Sequence, residues 1–209
     1  MSNLLPMSIG PRKLEGELCL VEPPGGIVVF AHGSGSSRHS RRNRQVAEFF
    51  QRKGLGTLLF DLLTEDEAAN RINVFDIPLL AQRVTEAIDC LASRSDQPLG
   101  LFGASTGAGA ALVAAALRPQ IVRAVVSRGG RPDLAGDALG DVIAPTLLIV
   151  GGADTEVLGM NRTALARLHC KKQLEIVPRA THLFEEAGAL DIVAGLAGAW
   201  FLEHLRPGD

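Results

Sequence analysis

Residues 101–111 read LFGASTGAGAA. A short apolar run ends at Ser105, which stands between Gly103 and Gly107, and an alanine-rich stretch follows. The pattern predicts a buried strand that turns sharply into a helix, with the serine on the turn. A nucleophile needs such a place. The bend strains the backbone at the serine, so residues two positions away must be small, and the helix start aims N–H groups at a developing oxyanion. A glycine-rich turn that cradles a phosphate looks similar, so the turn must be judged with its partners.

Working outward, further apolar runs at 17–21, 26–32, 57–62, 122–127, 146–152 and 174–179 read as strands. Several are rich in Val, Ile and Leu on both alternating faces, as in parallel strands covered by helices on each side. Helical patterns fill 41–53, 76–94, 106–118, 157–169 and 188–205, with Asp76 as an N-cap. Leu79, Leu80, Val84, Ile88 and Leu91 recur at helical spacing and should face the sheet. Runs around 5–9 and 13–21, joined by GPRK, predict an antiparallel hairpin at one edge. The expected architecture is α/β: a doubly wound, mostly parallel sheet of about seven or eight strands with helices on both faces. The stretch from Ser127 to Pro145 has room for one short helix, so no lid domain is expected, and residues 1–209 read as a single domain.

In such a sheet, ligands bind beyond the carboxyl ends of the strands, where Ser105 should lie. A serine hydroxyl needs a base, and the base needs an acid to orient it. Of five histidines, His182 in RATHLFEE directly follows the run 174–179. Asp154 in GGADTEV directly follows the run 146–152. Asp154 also suits a turn or a helix cap, but the chain order Ser105, Asp154, His182 is the order of one family of such triads. The turn AHGSGSS after the run 26–31 then supplies a second oxyanion donor, the Ser34 N–H, beside that of Thr106. Gly33-x-Gly35 is followed by neither a third glycine in register nor Gly-Lys-Ser/Thr, which argues against a phosphate loop.

Composition narrows the rest. Apolar residues make up 46% of the 209, and the formal net charge is −2, unlike that of a general nucleic-acid binder. No apolar stretch approaches the ~20 residues that span a bilayer, so no membrane partner is expected. The opening MSNLLPMSIGPRK has no basic region before a long apolar core, so no secretory signal is expected. Cys19, Cys90 and Cys170 are far apart, with no disulfide framework and no metal-ligand spacing. These features predict a cytoplasmic protein, monomeric or homodimeric, that uses neither metal nor cofactor.

The stretches AHGSGSSRHSRRNRQVAEFF, DLLTEDE, GLFGASTGAGAALVAAA, SRGGRPDLAG, PTLLIVGGADTEV and PRATHLFEE together resemble the α/β-hydrolase superfamily, and more closely its dienelactone-hydrolase-like branch. The resemblance runs from about residue 14 to 205. It implies a metal-free hydrolase with Ser105, Asp154 and His182 as its triad. Dienelactone hydrolases proper carry Cys at the elbow. With Ser105 there, the resemblance implies esterase or acyl-hydrolase chemistry on a small ester-type substrate. Two alternatives stay open: an acyltransferase using the same triad, and a non-catalytic binding module on the same fold. Arginines crowd the strand-end loops, among them Arg41, Arg128 and Arg131. Arg128 and Arg131, set apart by Gly129-Gly130 as a flexible spacer, predict an anionic substrate or carrier.

Overall fold

The computed structural model describes residues 3–205. The chain opens with the expected hairpin: β1 (Asn3–Ile9) pairs antiparallel with β2 (Leu14–Leu20), Ile9 facing Leu14. The remaining elements alternate. β3 (Ile27–Ala31), α1 (Arg41–Arg52) and β4 (Gly56–Phe60) come first, then the short α2 (Glu65–Ala69) and α3 (Ile77–Ala92). β5 (Leu99–Ala104), α4 (Thr106–Leu117), β6 (Val122–Arg128) and β7 (Thr146–Gly151) follow, and α5 (Thr155–Arg167), β8 (Lys172–Val177) and α6 (Ala189–His204) close the order. They form one eight-stranded sheet in the order β1-β2-β4-β3-β5-β6-β7-β8. From β4 onward the pairing is parallel throughout.

The two-residue period of β3 explains why the sheet is covered twice. Ile27, Val29 and Ala31 enter a core shared with α3 and α4, while Val28 and Phe30 enter a second core shared with α1 and α6. In that second core Phe30, Phe50, Phe102 and Phe201 stack through centroid separations of 5.0–5.8 Å. α4 is apolar on all sides because it is covered on all sides; residues Thr106–Leu112 are buried without interruption. Asp76 caps α3 as expected, accepting the Leu79 N–H at 3.0 Å.

Two regions depart from the periodicity. The stretch Ser127–Pro145 holds 3-10 turns over Pro132–Asp141, broken at Gly136. Between β4 and α3 the chain builds α2 and a 3-10 turn at Asn73–Phe75, neither of which buries a residue. Without an apolar stripe there is no periodic signal to read. A capping box marks the start of α2: Thr64 Oγ1 accepts the Glu67 N–H, and Glu67 Oε2 accepts the Thr64 N–H. Polar clamps hold this segment down. Buried Arg83 of α3 reaches Glu67 at 3.0 Å, and Asn73 Nδ2 donates to the Glu67 carbonyl at 2.8 Å.

Candidate active site

The order of strands decides what meets at the carboxyl edge. β5 is central and delivers Ser105, β3 lies on one side of it, and β6, β7 and β8 lie on the other. Ser105 sits at φ 51°, ψ −124°, a conformation that costs an L-residue about 1–3 kcal/mol. The flanking glycines are there for space. A Cβ on Gly107 would stand 2.2 Å from the Ala31 carbonyl oxygen, and one on Gly103 would stand 2.4 Å from Ala108 Cα. The turn is thus wedged between β3 and the helix it starts, and larger flanks would push the serine off the edge.

Asp154 follows β7 in the N-cap position of α5, yet its side chain makes no capping bond. Its Oδ2 instead accepts the Nδ1–H of His182 at 2.7 Å. With Nδ1 as donor, the tautomer leaves Nε2 with a free lone pair. The two loops are laced together: Gly152 N–H donates to the Val177 carbonyl at 2.8 Å, and Ala153 N–H to that of Ala180 at 2.9 Å. Beyond His182 the chain is anchored by Phe184, buried despite a φ of 55°. Asp154 is largely covered, while His182 is 38% exposed and accessible from solvent. Among the described residues no hydrogen bond joins Ser105 Oγ to the imidazole; such contacts commonly tighten only when substrate is bound.

On the β3 side, Gly33 passes over the serine so closely that a Cβ there would meet Ser105 Cβ at 2.9 Å. The Ser34 N–H points at the same turn, but it donates to Thr106 Oγ1 at 2.9 Å. His32 fixes this loop. Its Nδ1–H donates to the Gly33 carbonyl at 3.0 Å, and its Nε2 accepts the Leu62 N–H at 3.0 Å. Burial holds the imidazole below its ordinary pKa, in the neutral form that this pairing needs. Sequence pattern placed His32 only as the first residue of a turn; its clamping role follows from the neighbouring strand β4.

Most of the loop arginines are occupied by acids. Arg38 pairs with Asp61 and Glu15, Arg42 with Glu185, and Arg44 with Glu17. Arg131 is held by Asp133 at 2.8 Å. Arg41 is exposed on a cleft of about 730 Å³ between the start of α1 and the segment from Phe184 to the first turn of α6. Arg128 is different: it is 6% exposed, its Nη2 donates to Asn43 Oδ1 at 3.1 Å, and its buried Nε has no partner. Burial, with Arg42 nearby, pulls its pKa down to about 10. The spacer between Arg128 and Arg131 is not flexible. Gly129 and Gly130 are buried, and a Cβ on Gly129 would stand 2.9 Å from the His182 carbonyl oxygen. Gly129 lets the His182 loop pack closely against the end of β6, and Gly130 lies against Ser127 and Ala108.

Two comparisons with known proteins now bear on this edge. A solved dienelactone hydrolase from Anabaena variabilis is 56% identical, covers 99% of both chains and superposes with a TM-score of 0.93. The chain belongs to the dienelactone hydrolase family. No family model matches it. Est1E from Butyrivibrio proteoclasticus, 16% identical over 95% of this chain and 98% of its own, shares the fold with a TM-score of 0.78. Proteins from two strains of Mycobacterium tuberculosis, provisionally named phosphoribosyl transferases, are 62% identical over 199 residues, 94% of this chain. The chain spans 45% of the length of those relatives. Membership in the dienelactone hydrolase family fits the open, mostly parallel sheet. Among the described residues, no helix is long and apolar enough to cross a membrane.

Proposed function

We propose that this protein is a serine hydrolase that cleaves an ester, thioester or lactone of a small substrate through Ser105, His182 and Asp154. The observation that carries the reading is the bond from His182 to Asp154, made by an aspartate that leaves its own helix uncapped to make it. A structural aspartate at that position would serve α5. A strained serine at the head of α4, at the same carboxyl edge of the sheet, supplies the nucleophile.

Ser105 Oγ attacks the carbonyl carbon while its proton passes to His182 Nε2. Asp154 holds the ring and stabilises the imidazolium. The oxyanion takes hydrogen bonds from the Thr106 N–H and from the Ser34 N–H, which shifts from Thr106 Oγ1. Loss of one such donor costs about 2.7–4 kcal/mol of transition-state stabilisation. The bond to the leaving group then breaks, His182 returns the proton to it, and water hydrolyses the acyl-serine by the reverse sequence. An alcohol in place of that water gives acyl transfer with the same groups. The phosphoribosyl transferase name of the longer relatives belongs on this reading to the part of them outside the match, because a strained serine and a His–Asp pair serve acyl chemistry. With Arg38, Arg42, Arg44 and Arg131 engaged by acids, the anionic-substrate expectation narrows to Arg41 and Arg128.

The experiment is labelling of purified protein by a fluorophosphonate, together with turnover of p-nitrophenyl esters, thioesters and lactones. The reading requires labelling and turnover, both abolished by Ser105→Ala. Turnover that survives in folded Ser105→Ala rejects it.

A further inference from the structure

The site has two unequal sides. Beside the oxyanion loop, on the side away from His182, lies a cavity of about 280 Å³. His32 and Gly33–Ser36 form one wall, and Leu63, Ala68, Val74 and Leu80 form the rest. These four come from the segment after β4 and the start of α3, on the β3–β4 side of the serine. The base and its acid arrive from the β7–β8 side.

Acyl chemistry assigns the two sides different occupants. His182 must protonate the leaving group, so the leaving group lies toward β6–β8. With its oxygen on the Ser34 and Thr106 amides, the carbonyl must extend its other substituent toward β3–β4. We infer that the cavity walled by Leu63, Ala68, Val74 and Leu80 is the acyl site, and that it takes a short, apolar, uncharged acyl group. Its volume lies just below the ~300 Å³ at which pockets for drug-sized ligands begin, which suits a few carbons. Its lining holds no Lys or Arg to pair with a carboxylate or phosphate, and both ring nitrogens of His32 are already bonded. The wall is built to keep its shape although it buries no residue of α2. Arg83 and Asn73 clamp Glu67 and so hold Ala68 and Val74 in place. The inference rests on the serine-hydrolase reading and adds the acyl class to it.

The test varies chain length on each side of the ester separately. In the wild type, kcat/KM should rise about tenfold from p-nitrophenyl acetate to butanoate, as two buried methylenes provide. Ala68→Leu, at an exposed helical position, and Val74→Phe should each bring that ratio close to one. Lengthening the alcohol side of a butanoate ester should affect wild type and variants equally. Fluorophosphonate labelling of Ser105 is read in every sample. Labelling with an unchanged acetate-to-butanoate ratio in both variants overturns the acyl site alone. Sensitivity of the variants to the alcohol side instead overturns the assigned orientation. Absence of labelling in the wild type overturns the serine-hydrolase reading, and the acyl site with it.

Discussion

The backbone N–H of Ser34 is bonded to the side chain of Thr106, 2.9 Å away at the head of α4 and 72 positions on in the sequence. In the proposed mechanism the bond holds an oxyanion donor in place before any oxyanion exists, so the donor is neither left unpaired nor free to turn away. Thr106→Val removes the acceptor and keeps the shape. It should destabilise the protein by about 1 kcal/mol. Since both amides remain, kcat should fall by less than about tenfold. Chemical denaturation and steady-state kinetics check this. A loss as large as that of Ser105→Ala would mean that the Thr106 hydroxyl itself takes part in the reaction.

Strain at Ser105 makes two substitutions differ. Alanine at φ 51° remains strained, whereas glycine does not. Both should abolish turnover, but Ser105→Gly should be more stable than Ser105→Ala by about 1 kcal/mol. Equal denaturation midpoints would show that the surrounding packing, and not φ, sets the energy of the turn.

His32 makes stability depend on pH. Its folded-state pKa lies below the ordinary value of 6.5, first because burial penalises the charged ring. As pH falls below about 6.5, the unfolded chain takes up a proton that the folded protein resists. Stability is therefore full above that pH and declines as pH drops toward the lowered folded value. His32→Gln, which keeps an acceptor for the Leu62 N–H, should show a smaller fall in Tm between pH 7.5 and 5.5 than the wild type. The same fall in both would place the acid sensitivity elsewhere.

Arg128 is a buried cation whose side chain has, among the described residues, one hydrogen bond and no carboxylate partner. Such a group contributes little to folding, so Arg128→Met should leave stability within about 1 kcal/mol of wild type. If Arg128 attracts an anionic leaving group, the variant should lose about tenfold in kcat/KM for a carboxylate-bearing ester and little for its neutral analogue. Equal losses for both esters would make Arg128 a structural residue.

Much of the layout of this edge was legible in the chain because each feature is local. Gly103-Ala104-Ser105-Thr106-Gly107 states its own steric reason, and Asp154 and His182 each follow a strand directly. The hairpin and the two-sided sheet also follow from short-range pattern. What escaped depends on neighbours distant in sequence. α2 buries nothing, so only the Thr64/Glu67 box marks it, and Val74 and Ala68 gain meaning only from Leu63 and Leu80 across the cavity. Charge was misleading for the same reason. Arginines crowd the strand-end loops in the sequence, and the partners of Arg38 and Arg44 lie on the sheet edge and hairpin at Asp61, Glu15 and Glu17.

The lacing of the Asp154 and His182 loops has a consequence for how the chain divides. In the proposed mechanism everything that holds the electrophile, from Ser34 to Ser105 and Thr106, precedes residue 130, while Asp154 and His182, its acid and base, follow residue 145 as one laced unit. The parallel ladder from Val125–Thr146 to Arg128–Ile149 joins the two parts within the sheet. A chain opened at exposed Gly140 would yield one fragment with a nucleophile and no base, and another with a base and nothing to deprotonate. Neither would turn over an ester. If the proposed mechanism holds, reassociation across that ladder should restore turnover, and catalysis would then be a direct signal that the β6–β7 seam has closed.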